Sequence, residues 1–154
     1  MSVAVEPYTD ASPLIGATVL LTEDDWVIGL AVQAMLQSAG CTVLGPAFTI
    51  SDTMTLLAGS RPDAALLDLH LLDGRATEVA EALQATGVPF ALMTGCGQKE
   101  IAEMHFSAIP ILAKPFDETS LRSTVRSLLH NRRPPGEINQ SPRQQVRRSR
   151  YPEA

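Results

Sequence analysis

The feature of this sequence that most constrains its fold is a short apolar run that ends on an acid. Residues Ala64 to Leu67 show no alternation of polar and apolar side chains, and Asp68 follows them directly. Such a run is typical of a strand buried on both faces, as in a parallel sheet. Asp73 and Gly74 then mark a turn. Because open α/β sheets bind ligands outside the carboxyl ends of their strands, Asp68 is a candidate functional residue, although capping a loop is the better explanation of Asp68 taken alone.

The rest of the chain alternates between short apolar runs and amphipathic segments. Further strands are predicted at 17–22, 41–47, 88–93 and 109–113. Helical spacing of apolar residues predicts helices at 26–38, 76–86 and 98–106, and two more that are capped by Ser51 and Asp117. Short strands that alternate with helices favour an α/β fold, a doubly wound parallel sheet of five strands.

Apolar stripes predict which side of each helix faces the core. In the first helix the predicted inward residues are Val27, Leu30, Ala31, Ala34 and Met35. In the last helix they are Leu121, Val125, Leu128 and Leu129. Gly40 and Gly87 stand where left-handed residues commonly end helices.

Length and charge indicate a single acidic domain with a basic tail. The 154 residues suffice for one hydrophobic core but not for two domains of ordinary size. We expect an N-terminal arm at 1–16, a folded domain at 17–130, and a disordered Arg/Pro-rich tail at 131–154. The tail holds six arginines and two acids, whereas residues 1–130 hold six basic and fifteen acidic residues. An acidic body without a recognition helix or zinc spacing argues against nucleic-acid binding.

Cysteine usage and hydropathy suggest a cytoplasmic protein. Cys41 and Cys96 show no metal-site or disulfide spacing, which suits a reducing compartment. No apolar run reaches membrane-spanning length, and the first sixteen residues lack the basic start of a signal peptide. We therefore expect no membrane partner.

Chemically active residues recur at the ends of the predicted strands. Glu23 and Asp24 follow the first strand, Asp68 the third, Thr94 the fourth and Lys114 the fifth. Because all these ends lie at one edge of a parallel sheet, three acids, a hydroxyl and an ammonium group should converge. Each alone is commonplace as a cap or a surface charge, but five together indicate a site.

This set of groups suits the capture of a phosphoryl group. Clustered carboxylates repel one another unless a hard cation joins them, and oxygen ligands in an open site suit Mg²⁺. Asp68 could then attack phosphorus as a nucleophile and form an acyl phosphate. The ammonium group of Lys114 would offset charge on the transferred group, and the Thr94 hydroxyl could donate a hydrogen bond to it.

The strand-end segments resemble the receiver domains of two-component response regulators. The matching segments are 19–25 (VLLTEDD), 63–68 (DAALLD), 92–95 (LMTG) and 112–116 (LAKPF), within a region of about 17–130. The segments 89–95 (PFALMTG) and 110–116 (PILAKPF) are also similar to a receiver subgroup with a PFxxxTG and PxLxKPF signature, common as stand-alone regulators in alphaproteobacteria. The resemblance implies a flavodoxin-like sheet with strand order 2-1-3-4-5.

The resemblance also implies the metal and phosphoryl ligands. Asp68 would be the phosphoacceptor and a ligand of Mg²⁺. The acidic pair Glu23 and Asp24 would hold the ion, with Asp24 the direct ligand, and the backbone carbonyl of His70 would complete the protein ligands. In such domains a threonine and a lysine, here the strand-end pair named above, contact the phosphoryl group.

One departure from the family concerns the switch region. The position three before the lysine, usually aromatic, is Ile111, so an aromatic ring turning inward is not available here. Gly95, Cys96 and Gly97 begin a weakly patterned segment. We expect phosphorylation to act by ordering residues 95–106, and these residues with Ile111 to form the switch region.

The implied function is that of a single-domain response regulator, a phosphoacceptor protein rather than an enzyme. Its partners would be a sensor histidine kinase or phosphotransfer protein and a downstream protein that the sequence does not name. A phosphate sink and a degenerate interaction module remain alternatives. A phosphatase with an aspartate nucleophile is disfavoured, because that class needs a second acid two residues after the nucleophile, where this chain has His70.

Overall fold

The computed structural model describes residues 13–95 and 108–131. The strands, in chain order, are β1 (Thr18–Thr22), β2 (Thr42–Ala47), β3 (Ala64–Asp68), β4 (His70–Leu71), β5 (Gly74–Arg75), β6 (Phe90–Thr94) and β7 (Ile111–Ala113). The helices are α1 (Trp26–Ser38), α2 (Ile50–Gly59), α3 (Thr77–Thr86) and α4 (Glu118–His130). No helix in these two ranges has the length and hydropathy needed to cross a membrane.

The five longer strands form one parallel sheet in the order β2-β1-β3-β6-β7. Counting only the strands of this sheet, the order is 2-1-3-4-5, so the predicted doubly wound α/β fold is confirmed. The central strand β3 is buried along its whole length between β1 and β6. The two remaining strands, β4 and β5, pair with each other in a small antiparallel hairpin.

Alternate residues of each strand serve opposite faces of the sheet, as strand geometry requires. On one face Leu21 and Leu66 pack in a cluster with residues of α1 and α4. On the other face Leu20 and Leu67 pack in a second cluster with residues of α3, and α2 packs against its edge. Each fully buried leucine contributes about 1.5–3 kcal/mol relative to an exposed one, so both faces stabilise the sheet.

Side-chain capping explains where three of the four described helices begin, namely α1, α2 and α4. Asp25 caps α1 and Asp117 caps α4, as acidic residues commonly do. The predicted start of α2 at Ser51 was wrong: Thr49 is the N-cap, and its hydroxyl accepts a hydrogen bond from the Asp52 amide at 3.0 Å. Ser51 instead lies in the first turn of α2.

The buried side of α1 differs from the predicted one. Val27 and Leu30 are 57% and 48% exposed, and the helix buries Gly29, Val32 and Leu36 instead. Because α1 is apolar around most of its circumference, its periodicity fits more than one orientation. In α4, by contrast, the four predicted inward residues are all buried.

Close packing at Gly29 decides the orientation of α1. A Cβ atom at this position would lie 3.3 Å from Cβ of Pro46 and 3.6 Å from Cβ of Glu23. The absence of a side chain therefore lets the helix approach the irregular part of β2, where the register with β1 shifts. This contact places the start of α1 beside the acidic end of β1.

The folded body begins before residue 17, where the sequence placed its boundary. Leu14 is 1% exposed within the core, and its carbonyl accepts a hydrogen bond from Ala17 at 3.1 Å. The Gly16 amide donates to the carbonyl of Gly40, the left-handed residue that follows α1. The rest of the expected arm, the expected tail beyond 131 and the expected helix at 98–106 lie outside the described residues.

Candidate functional site

The sheet brings the predicted strand-end residues to one edge. Leu67 is the neighbour of Thr22, Asp68 of Met93, and Thr94 of Ala113 in the parallel register. The strands β1, β3, β6 and β7 therefore all end at the same edge of the sheet.

Lys114 joins two of the carboxylates. Its Nζ lies 2.7 Å from Oε2 of Glu23 and 2.8 Å from Oδ2 of Asp68. The Glu23 side chain is fully buried, that of Asp68 is 7% exposed and that of Lys114 is 21% exposed. The attraction between charges shielded from water in this way is stronger than at the surface, because the local dielectric constant is lower, but removing the charges from water offsets part of this gain.

The backbone fixes the orientation of Asp68. Its amide donates to the Thr22 hydroxyl at 3.0 Å, a contact between neighbouring strands. Its Oδ1 accepts a hydrogen bond from the His70 amide at 3.0 Å, while Oδ2 faces Lys114. Each carboxylate oxygen thus has a defined partner, and the side chain is oriented before any ligand binds.

Glu23 is held from three directions. Its amide donates to the carbonyl of Ala47 at 3.0 Å, and its Oε1 accepts from the Asp25 amide at 3.2 Å. Its Oε2 is buried without a hydrogen bond of good geometry, so the contact with Lys114 is an ion pair only. A buried carboxylate oxygen that is incompletely satisfied is suited to a further positive partner.

These residues fit a divalent cation. Glu23, Asp24 and Asp68 each offer a carboxylate oxygen, and these three oxygens lie within 4.8 Å of one another. Asp24 is exposed, so the cluster opens to solvent on one side. An all-oxygen set with an open side, together with the buried Oε2 of Glu23, which has an ion pair but no hydrogen bond, suits Mg²⁺, which retains several waters when bound.

Burial and the neighbouring charges shift the proton equilibria of the cluster. Burial, reinforced by Asp24 and Asp68, raises the pKa of Glu23 to about 7 despite the ammonium group of Lys114, which acts to lower it. For Asp24, burial opposes ionisation but is outweighed by Glu23, Asp68 and Lys114, so its pKa falls below the ordinary value. Burial likewise opposes the charge on Lys114, yet Asp68 and Glu23 raise its pKa overall. Because ionisation of Glu23 is unfavourable in this cluster, an added cation would stabilise the ionised form.

The remaining predicted residues lie around this core. Thr94 is buried at the end of β6, and its carbonyl accepts from the Lys114 amide at 3.0 Å. Gly95 is exposed directly after it, and Ile111 is 45% exposed on β7. Cys96 and Gly97, and with them most of the predicted switch region, lie outside the described residues.

Sequence reasoning missed one contributor to the site, Thr22. Its hydroxyl accepts the Asp68 amide hydrogen, although the sequence shows only a threonine at the end of a strand. Its position could have indicated it. Thr22 directly precedes the acids that follow β1, and β1 is the strand predicted to lie next to β3.

Comparison with known proteins gives the same fold. The structure matches the receiver domain of the PhyR response regulator from Erythrobacter litoralis with a TM-score of 0.70 and 22% identity, over 81% of this chain and 98% of that one. It matches a response regulator receiver protein from Sinorhizobium medicae with a TM-score of 0.69 and 24% identity, over 77% and 98%. The chain therefore has the receiver-domain fold that the sequence resemblance implied.

A third solved structure carries a metal ion. The receiver domain of the sensor histidine kinase PA1611 from Pseudomonas aeruginosa, described with magnesium in its active-site cleft, matches with a TM-score of 0.66 and 24% identity, over 75% of this chain and 99% of that one.

Curated relatives agree with the structural matches at lower coverage. The sensory transduction protein LytT of Bacillus cereus is 27% identical over 111 residues, which are 70% of this chain and 45% of LytT. The regulator PhyR of Methylorubrum extorquens is 25% identical over 114 residues, 72% of this chain and 43% of PhyR. The chain thus spans less than half the length of these relatives. No family model matches it.

Proposed function

We propose that this receiver-fold chain is a response regulator that accepts a phosphoryl group on Asp68 in a Mg²⁺-dependent reaction. The donor would be a sensor histidine kinase or phosphotransfer protein. The observation that carries the proposal is the meeting of Asp68, Glu23 and Asp24 with the ammonium group of Lys114 at the carboxyl edge of a parallel sheet. The magnesium-bearing receiver domain among the structural matches supports the metal assignment.

The chain's own residues account for the transfer step. A carboxylate oxygen of Asp68 forms a bond to phosphorus, the bond from phosphorus to the donor breaks, and the donor leaves with that electron pair. Lys114 lies beside Oδ2 of Asp68, where its ammonium group can offset the negative charge of the transferred phosphoryl group. The His70 amide holds Oδ1, which leaves the nucleophile in one orientation.

The acidic pair supplies the metal site in this proposal. Mg²⁺, when bound, would offset the negative charge of the phosphoryl group and of the cluster. Asp24 is the exposed carboxylate and would be the direct protein ligand beside Asp68, with Glu23 acting from the buried side. The His70 carbonyl would be a further ligand, and the Thr94 hydroxyl would donate to a phosphoryl oxygen.

The reaction makes the protein a phosphoacceptor that catalyses its own phosphorylation and dephosphorylation. Its output would be a phosphorylation-dependent interaction with another protein. A phosphate sink would share the chemistry but lack that interaction. An aspartate phosphatase is less well supported, because the second acid it needs is replaced by His70, whose backbone amide already binds Asp68.

The test is intact mass after incubation with acetyl phosphate and Mg²⁺. We expect the wild-type chain to gain one phosphoryl group, and Asp68→Asn or addition of EDTA to abolish the gain. Asp52→Asn serves as the matched control, since Asp52 is an exposed acid on α2 outside the acidic cluster. Equal labelling of Asp68→Asn and wild type would refute the proposal.

A further inference from the structure

One side chain ties the loop after Asp68 to the start of α2. This loop, residues 69–75, is called the acceptor loop here and contains the β4–β5 hairpin. Asp73 lies at its turn. Its Oδ1 accepts from the Ile50 amide at 2.6 Å and its Oδ2 from the Ser51 amide at 3.2 Å. These two amides belong to the first turn of α2, so the carboxylate bridges two elements that are distant in sequence.

Backbone hydrogen bonds also hold the acceptor loop in a defined position beside the start of α2. The Leu72 amide donates to the carbonyl of Phe48 at 3.0 Å, next to the bridge. The Ala76 amide donates to the carbonyl of Leu69 at 2.9 Å and closes the base of the acceptor loop. Gly74 follows Asp73 with φ of 141°, a conformation that favours glycine and turns the chain back.

The acceptor loop reaches the phosphoacceptor through His70. This residue lies in β4, the first strand of the hairpin, and its amide donates to Oδ1 of Asp68. The carboxylate therefore takes its orientation from a loop whose other end is attached to α2. Movement at Asp73 would be transmitted to Asp68 over a short, hydrogen-bonded path.

α2 has an N-cap that is independent of this bridge. Thr49 accepts from the Asp52 amide, whereas Asp73 accepts from the two preceding amides. The carboxylate is ionised, because the hydrogen bonds from Ile50 and Ser51 hold the pKa of Asp73 below its ordinary value. Negative charge at a helix N-terminus is favourable, so the bridge has a physical reason to persist in solution.

We propose that Asp73 is a positioning residue for the phosphoacceptor site, fixing the acceptor loop to α2 so that the His70 amide holds Asp68 in its reactive orientation. The inference rests on the proposed function of Asp68. It assigns no chemistry to Asp73 itself.

The first test is amide hydrogen exchange in the metal-free chain, read by NMR. Asp73→Ala should speed exchange at the amides of His70 and Leu72 by about tenfold, the effect of losing one charge-assisted hydrogen bond. Asp73→Asn keeps one acceptor oxygen and should fall between Asp73→Ala and wild type. Thr49→Ala removes a cap from the same helix without touching the loop, so it should leave both amides unchanged.

The second test is labelling by acetyl phosphate with Mg²⁺. The rate should be similar in wild type and Thr49→Ala, lower in Asp73→Asn, and lower by about tenfold in Asp73→Ala, as for residues that orient a ligand. Thermal melts accompany each variant. If Asp73→Ala does not fold, the comparison of Asp73→Asn with Thr49→Ala decides the question.

The outcomes separate the two proposals. If Thr49→Ala and Asp73→Ala change exchange and labelling to the same extent, Asp73 only caps a helix and the positioning role is overturned. The same holds if Asp73→Ala labels like wild type. If wild type itself is not labelled at Asp68, the proposed function fails and the positioning role falls with it.

Discussion

Glu23 is a fully buried carboxyl group beside two other carboxylates, and its environment opposes its charge. Burial raises its pKa from an ordinary 4.5 to about 7. An acid whose pKa is raised by folding favours the folded state below its unfolded pKa, and that advantage is lost as the pH rises through the folded pKa. Without a cation, ionisation of Glu23 should therefore lower the stability of the folded chain between about pH 4.5 and pH 7.

Glu23→Gln should remove this penalty. In EDTA, we expect the variant to gain in melting temperature relative to wild type by more at pH 8 than at pH 5, because only the wild type ionises a buried group over that interval. Each pH unit between the two pKa values changes the free energy of unfolding of the wild type by at most about 1.4 kcal/mol. The variant also loses the ion pair with Lys114, which reduces its gain in stability. A difference in melting temperature that is the same at both pH values would contradict the assignment.

Asp24 and Lys114 should separate metal binding from phosphoryl chemistry. Asp24→Asn should weaken Mg²⁺ binding by at least about tenfold, because it removes a ligand charge from the exposed side of the cluster. Lys114→Ala should leave Mg²⁺ affinity largely intact, since an ammonium group cannot ligate a cation, but should impair labelling of Asp68 or its consequences. Calorimetric titration of both variants checks this, and an equal loss of Mg²⁺ affinity would show that the roles are misassigned.

At the scale of elements, the contact between α1 and β2 supports the acidic end of β1. Gly29→Leu would add a side chain whose Cβ atom alone would lie 3.3 Å from Cβ of Pro46. Overpacking of this kind costs about 1–3 kcal/mol, and the shift should also displace Glu23 and weaken Mg²⁺ binding. Ala31→Leu, at an exposed position of the same helix, is the control. Chemical denaturation that finds the two variants equally stable would contradict the role of this contact.

The sequence predicted strands and their ends better than helix orientation. β3 and its neighbours are apolar runs that stop at polar residues, so both their burial and the meeting of Glu23, Asp68 and Lys114 follow from parallel-sheet geometry. The buried side of α1 could not be predicted, because it depends on the close approach of Gly29 to Pro46 in β2, a tertiary contact that the periodicity of the helix does not show. The contacts of Thr22 and Asp73 are also long-range: Thr22 is indicated only by its position directly before the acids that follow β1, and nothing local in the sequence indicates the contacts of Asp73.

At the scale of the whole molecule, the described fold ends with α4, which packs in the core cluster on one face of the sheet. Leu121 and Val125 are fully buried, and the Asn131 amide ends the helix by donating to the carbonyls of Ser127 and Leu128. A chain truncated after Asn131 should therefore melt within a few degrees of the full chain and label equally with acetyl phosphate. A large fall in melting temperature would show that residues 132–154 stabilise the body.

The most direct test of the central claim is to locate the phosphoryl group. After incubation with acetyl phosphate and Mg²⁺, borohydride reduces an aspartyl phosphate to homoserine, and peptide mass mapping identifies the modified position. The account predicts homoserine at position 68 and no modification at Asp24 or Asp73, with none anywhere when EDTA is present. Homoserine at another position, or labelling that persists without Mg²⁺, would contradict it.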